Sequence, residues 1–221
     1  MKRRTLLAAG GSAVAIAGAT WAIFSSKETV EQVTATSESQ QPESLTSGPS
    51  EMVLGNPDAA VEVIEYASFT CPHCASFHEN QFKALQANYI ETGKIRFVYR
   101  EVYFDRPGLW ASMIARCAGT EEFFFAFAEL LYAEQRAWLA SGDPAGIIAD
   151  LRRLAKTAGM DDAALDACLS DAAKAEALFN WYQENAERDG INSTPSFLID
   201  GEKYSNMAYD DFAAILDEKL G

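Results

Sequence analysis

Two cysteines separated by two residues, Cys71 and Cys74, are the best candidates for chemistry in this sequence. Thiols at this spacing lie one helical turn apart, close enough to form a disulfide with each other or to bind a metal ion together. Pro72 and His73 lie between them. An apolar, β-branched run before Cys71 predicts a strand, and helical periodicity after it predicts a helix. The motif is therefore expected at a helix N-terminus.

This placement is expected to make Cys71 acidic. The unpaired N–H groups and partial positive charge of a helix N-terminus favour a thiolate over a thiol. In two-cysteine motifs such placement can lower a thiol pKa from about 8.5 to roughly 3.5–7.5. Pro72 fits the first turn because its missing N–H is not needed there. The His73 ring is expected to donate to the same sulfur, and Cys74 is expected to be more buried.

A stabilised thiolate favours the dithiol over the disulfide, so the oxidised pair is energetically ready to be passed to another protein. The low pKa also makes Cys71 a good leaving group. The motif therefore predicts a disulfide donor. A metal-binding module using Cys71, Cys74 and His78 is the alternative from a different class, although structural zinc usually takes four ligands and no fourth is evident. By itself, His78 is predicted to be a helix-surface residue.

Three elements are predicted to position the motif. Residues 61–66 alternate in the manner of a strand, residues 72–89 carry apolar residues at helical spacing, and residues 95–99 form a second strand. Two strands joined through a helix lie parallel with a right-handed crossover. Strand character returns at residues 194–201, and a closing helix is predicted from residue 209 to residue 220. Glu65, in the first strand, is either a functional acid or a partly exposed strand carboxylate.

Residues 107–189 have a different composition, in which Ala, Leu, Glu and aromatic residues dominate. Helical spacing recurs near residues 109–118, 121–139, 144–158 and 171–188, and Asp143 and Pro144 supply an N-cap and first residue for one helix. The aromatic cluster is predicted to belong to the core of this region: Phe123, Phe124, Phe125 and Phe127. The pattern predicts an α/β fold, residues 51–106 and 190–221, interrupted by an all-helical insertion.

The first 50 residues are expected to lie outside the folded region. A basic start precedes an uncharged stretch with a small-x-small cleavage pattern, so residues 1–24 are predicted to be a signal peptide or N-terminal anchor. Either the general secretory or the twin-arginine route fits this segment. Residues 25–50 are rich in Ser, Thr, Gln and Glu and are predicted to be a disordered tether. The remainder is thus expected in the periplasm, where disulfides persist.

Composition and net charge argue against one class of function, the binding of nucleic acids. The 221 residues are 48% hydrophobic, enough for a core, and carry 18 Lys and Arg against 32 Asp and Glu, a net charge of −14. Nucleic-acid binding needs a basic surface, so it is not expected.

The sequence from Val63 to Cys74 resembles the active site of bacterial DsbA-type thiol:disulfide oxidoreductases, and the resemblance covers residues 51–221. It implies a thioredoxin-like fold with an inserted helical domain. It also implies that Thr194 and Pro195 form a cis-proline turn facing the cysteine pair, and that the backbone of Thr194 pairs with an extended substrate segment. Glu65 matches a buried acid that helps proton movement at the second cysteine.

The resemblance further implies a donor of disulfides to reduced, newly exported polypeptides. A quinone-linked membrane oxidase of the DsbB kind would reoxidise it, and no organic cofactor or metal is required. A monomer is expected. Thr before the cis-proline is commoner among disulfide isomerases, so an isomerase or reductase of the same fold remains the alternative. Isomerases carry an N-terminal dimerisation domain, for which residues 25–50 leave no room.

Cys117 and Cys168 both lie in the predicted insertion. An even cysteine count and an exported location favour a structural disulfide between them, and two buried free thiols are the alternative.

Overall fold

The computed structural model describes residues 49–221, in which five strands form one sheet of order β1-β3-β2-β4-β5. The two long central strands are parallel, and every other neighbouring pair is antiparallel. The strands are β1 (Met52–Gly55), β2 (Val61–Ala67), β3 (Ile95–Glu101), β4 (Ser196–Ile199) and β5 (Glu202–Ser205). The predicted parallel pair is confirmed, the strand character predicted at residues 194–201 corresponds to β4, and the sequence analysis missed the short strands β1 and β5.

Alternate residues of the central strands face opposite sides of the sheet. Val63 and Phe97 contribute to the larger hydrophobic core, whereas Ile64 and Val98 face a smaller cluster. Both strands are therefore largely buried on both faces, although each also carries charged residues such as Glu62 and Arg96.

The helical segment after β2 is continuous but not uniformly α-helical. It consists of α1 (Pro72–Phe77), a π-helical segment (His78–Phe82), α2 (Lys83–Leu85) and a second π-helical segment (Gln86–Ile90). The predicted helix over residues 72–89 is thus present, with two π-helical stretches that the prediction did not include. Phe77 and Phe82 are five residues apart, which is the i→i+5 spacing of a π-helix, and their rings lie 6.3 Å apart.

Six helices occupy the predicted insertion. They are α3 (Arg106–Ala115), α4 (Glu121–Ala133), α5 (Gln135–Trp138), α6 (Pro144–Thr157), α7 (Asp162–Ser170) and α8 (Ala172–Arg188). Asp143 caps α6 as predicted, and Asp161 caps α7, a helix that the sequence analysis missed. The predicted helix over residues 121–139 is interrupted at Glu134, which separates α4 from α5. The predicted closing helix is α9 (Tyr209–Leu220).

The insertion shares its core with the sheet. Phe124 of α4 packs within 6.3 Å of Phe69, the ring that follows β2, and both side chains are buried. Phe127 is also buried, while Phe123 and Phe125 are partly buried against the same cluster. All the described residues fall in one compact unit.

The predicted leader, residues 1–24, and the tether up to residue 48 lie outside the described residues. Within residues 49–221, no helix has both the length and the apolar character needed to cross a bilayer.

Candidate active site

Cys71 is the N-cap residue of α1, and Pro72 begins the helix. Its side chain is half-buried, and its Sγ lies 3.4 Å from the backbone carbonyl oxygen of Thr194. The pKa of the Cys71 thiol is lowered to about 5, chiefly by the hydrogen bond from the Cys74 thiol. Burial opposes this shift, and hydrogen bonding by the side chain of Thr194 and by the backbone N–H groups of Cys74 and His73 adds to it. Cys71 is therefore a thiolate at neutral pH.

Cys74 has the opposite character. Its side chain is fully buried, and both cysteines are free thiols in the structure. Burial raises the pKa of the Cys74 thiol far above its ordinary value, and the hydrogen bond to Cys71 and the negative charge of Glu65 raise it further. One sulfur is thus ionised and reachable, and the other is protonated and enclosed.

His73 and Pro72 are exposed at the start of α1. The contribution of His73 to the Cys71 thiolate comes from its backbone N–H. The sequence analysis had expected this contribution from the ring.

The chain topology brings Thr194 and Pro195 beside the cysteines. Strand β4 starts at Ser196, which pairs with Tyr66 near the end of β2, so the residues before β4 lie at the same end of the sheet as the start of α1. The Thr194–Pro195 peptide bond is cis, as the resemblance implied. Pro195 is buried, and Thr194 is half-buried.

Glu65 is fully buried and lies within hydrogen-bonding distance of His78, which the sequence analysis placed on the helix surface. His78 Nε2 lies 3.0 and 3.1 Å from the two carboxylate oxygens of Glu65. The prediction of His78 as a helix-surface residue is wrong, because its side chain is only 9% exposed. Its ring stacks on Tyr132 at 4.3 Å. Seven residues after Cys71 and four after Cys74, His78 lies on their helix face, and this spacing was the signal available.

The proposed metal ligands do not form a metal site. No group of three or more His, Cys, Asp or Glu side chains within residues 49–221 is placed to hold a metal ion. His78 Nε2 lies 3.0 Å from a carboxylate oxygen of Glu65 instead.

The insertion also makes hydrogen bonds to the turn between β2 and α1, residues 68–71. The side-chain amide of Gln135 donates to the carbonyl oxygens of Phe69 and Cys71, each at 2.9 Å. The hydroxyl of Tyr132 lies 2.5 Å from that of Tyr99. Gln135 and Tyr132 were not predicted as site residues, because no local pattern marks residues that reach the site from 60 positions away.

Away from this site, a disulfide joins Cys117 and Cys168, 51 residues apart. It links the turn after α3 to α7, within the insertion.

A sheet with a cysteine pair at the N-terminus of a helix and a cis-proline beside it is characteristic of the thioredoxin fold. The family model described as Thioredoxin matches residues 47–218, so the chain belongs to this family. Its inserted helices make it a DsbA-like member, and it is similar to the crystal structure of Wolbachia pipientis alpha-DsbA1. The TM-score is 0.72 at 27% identity, covering 80% of this chain and 94% of that one.

Two further proteins are similar. A Rickettsia bellii protein named "Putative protein-disulfide oxidoreductase" is 33% identical over 170 residues, 77% of this chain. The matched region spans 64% of that relative, which is less than two thirds of its length. A protein-disulfide isomerase from Novosphingobium aromaticivorans superposes with a TM-score of 0.71 at 26% identity, over 79% of this chain and 99% of that chain.

Proposed function

We propose that this protein donates a Cys71–Cys74 disulfide to cysteine pairs of proteins exported to the periplasm. The observation that carries the proposal is the difference between the two sulfurs: the pKa of Cys71 is lowered to about 5, and that of Cys74 is raised. A low pKa at the half-buried Cys71 favours the reduced form and makes the disulfide a strong oxidant. Reduction of the pair therefore stabilises the protein while oxidising the substrate.

The exchange takes place in two steps. A substrate thiolate attacks Cys71 Sγ, the Cys71–Cys74 bond breaks, and its electron pair remains on Cys74. A second substrate thiolate then attacks the substrate sulfur of the mixed disulfide, and Cys71 leaves as a thiolate. The substrate gains a disulfide and loses two electrons, which the cysteine pair gains. An extended substrate segment would lie beside Thr194 and Pro195, and the proposal is supported by the 3.4 Å distance between the Thr194 carbonyl oxygen and Cys71 Sγ.

Return to the disulfide form requires an acceptor for two electrons, and a quinone-linked membrane oxidase of the DsbB kind would supply it. An isomerase or reductase role is the second candidate. Thr194 and the similarity to the Novosphingobium aromaticivorans isomerase favour that alternative.

The test compares oxidation with isomerisation by the full chain. The oxidised protein should convert reduced, unfolded ribonuclease to disulfide-bonded forms stoichiometrically, and Cys71→Ala should abolish this. Equilibration with glutathione should give a potential near the DsbA value of about −120 mV. A potential near the thioredoxin value of about −270 mV, with efficient refolding of scrambled ribonuclease, would contradict the oxidase proposal.

A further inference from the structure

Cys74 has to gain a proton in a place that solvent does not reach. When a substrate thiolate attacks Cys71, the electron pair of the broken bond stays on Cys74 Sγ. That side chain is 0% exposed, and burial strongly favours its thiol form over the thiolate. Reoxidation requires the reverse, because Cys74 must lose the proton before its sulfur attacks. A route for one proton between Cys74 and water is therefore needed in both directions.

Glu65 is near enough to Cys74 for its charge to act on the thiol, but it is enclosed as well. Its side chain is 0% exposed. Among the described residues, the hydrogen bonds of its carboxylate oxygens are made with His78 Nε2, at 3.0 and 3.1 Å. Glu65 alone cannot exchange a proton with solvent, so the next group outward is His78.

His78 reaches a cavity of about 390 Å³ between the first π-helical segment and α4. Its other lining residues include Ala75, Glu79, Phe82, Lys83, Glu129 and Tyr132. The lining is mixed, and its charged side chains are polar partners of the kind that water requires. His78 thus contacts the buried carboxylate through Nε2 and also lines a cavity that carries charged groups.

We propose that His78 passes the proton between the Glu65 carboxylate and the water of this cavity, and so completes a route from Cys74 to solvent. This inference rests on the proposed thiol–disulfide exchange. His78 does not touch the sulfur, so it is a positioning residue that acts through Glu65. In the first step of substrate oxidation, Cys74 takes a proton from the Glu65–His78 pair, and cavity water restores it. In reoxidation the proton returns along the same route.

The surroundings of His78 suit this role. Imidazole gains and loses a proton between pH 5 and 8, which no carboxylate or phenol with an ordinary pKa does. Stacking on Tyr132 fixes the ring against Glu65. Burial raises the pKa of both neighbouring phenols, Tyr99 and Tyr132, well above the ordinary value, so they stay neutral in this range. The charged groups at the cavity are Glu79, Lys83 and Glu129.

The main test measures reduction of the oxidised protein by dithiothreitol in stopped flow from pH 5 to 8. His78→Gln keeps an amide that can bond Glu65 but cannot carry the proton. The ratio of variant to wild-type rates cancels the ionisation of the reductant. General acid–base catalysis contributes roughly 10²–10⁴-fold, and a thiolate leaving group needs less help, so we expect a deficit of about tenfold. The deficit should vary with pH across this range, because the wild-type side chain can gain and lose a proton and the amide cannot.

Two further measurements separate proton transfer from packing. In His78→Ala, added imidazole should restore the rate through the cavity, whereas pyrazole, a ring of the same size that is not a base near neutral pH, should not. The chain has two histidines, so the ¹⁵N resonances of His78 are readily assigned in the wild-type protein. Its titration should shift when the Cys71–Cys74 disulfide is reduced. This measurement needs no variant to fold.

An unchanged rate ratio in His78→Gln, a deficit equal at every pH, or equal rescue by both rings would overturn the inference. So would a His78 titration that is the same in the oxidised and reduced proteins. These outcomes differ from failure of the proposed function, in which the wild-type protein itself does not oxidise reduced ribonuclease.

Discussion

The side-chain amide of Gln135 lies 2.9 Å from the backbone carbonyl oxygen of Cys71. The same nitrogen is 2.9 Å from the carbonyl oxygen of Phe69, so one side chain of the insertion holds both ends of the turn that leads into α1. Gln135 is buried, and water cannot easily replace it. The orientation of the helix N-terminus toward the sulfur therefore depends on a residue from α5.

Replacement of Gln135 by Ala should lower the free energy of unfolding by about 1–3 kcal/mol, because the buried carbonyl group of Phe69 loses its side-chain donor and that of Cys71 keeps only the donor from the Ala75 N–H. Urea unfolding of the wild-type protein and the variant measures the change. Gln183→Ala, at an exposed position of α8, is the matched control and should change stability by less than about 0.5 kcal/mol. Equal effects at the two positions would show that the Gln135 contacts contribute nothing specific.

The rate of Cys71 alkylation by iodoacetamide should rise with pH with a midpoint near 5, because the thiolate is the nucleophile. Cys74→Ala removes the hydrogen bond that is the main cause of the low pKa, so its midpoint should move upward. Mass spectrometry assigns the modified residue. A midpoint near 8.5, the ordinary value for a cysteine, would refute the proposed stabilisation of the thiolate.

The stability of the reduced protein relative to the oxidised protein should increase as the pH rises from 5 to 8. The pKa of Cys71 is about 5 in the folded dithiol and near 8.5 in the unfolded chain. A depressed folded-state pKa gives stability that is complete above the unfolded pKa and is lost as the pH falls through about 5. The difference in Tm between the reduced and oxidised proteins, recorded at each pH, measures this change in relative stability.

The control for this pH dependence is Cys71→Ser, which lacks the titrating thiol. The Tm of this variant should change with pH in parallel with the Tm of the oxidised protein across the same range. A reduced form whose Tm runs parallel to that of the oxidised form from pH 5 to 8 would contradict the prediction.

Loss of the Cys117–Cys168 disulfide should affect stability and not redox chemistry. The bridge closes a loop of 51 residues, and chain entropy assigns it about 4 kcal/mol. The double variant Cys117→Ala, Cys168→Ala should unfold at lower urea concentration and still oxidise reduced ribonuclease at the wild-type rate. A changed Cys71–Cys74 potential in this variant would instead indicate that the two cysteine pairs are coupled.

The parts of the fold that the sequence predicts are those with strong periodicity. Strands β2 and β3 are each seven residues long and rich in apolar and β-branched or aromatic residues, and the helices of the insertion have clear caps, such as Asp143 for α6. Strands β1 and β5 are four residues long and partly exposed, so their patterns are too short to distinguish from loops. Helix α7 is nine residues long, and only Leu165 of its side chains is buried, so its apolar pattern is weak.

The cysteine motif could be predicted because its residues are adjacent in the chain, and its helix N-terminus follows from local pattern. The partners that enclose it could not. His78 lies at the correct helical spacing, but only the fold reveals that Glu65 of β2 faces it. Gln135 and Tyr132 reach the site through tertiary packing of α4 and α5, and nothing in their neighbouring residues encodes that contact.

The contacts between the insertion and the turn that leads into α1 determine what a shortened version of this protein would retain. A minimal version made by joining residue 105 directly to residue 190 would keep both cysteines and the sheet. It would lose the amide that orients Cys71 and the aromatic ring that holds His78. A graft of the four-residue motif onto another scaffold would therefore carry over the hydrogen bond from Cys74 to Cys71 but not the contacts that Gln135 and Tyr132 make around the site.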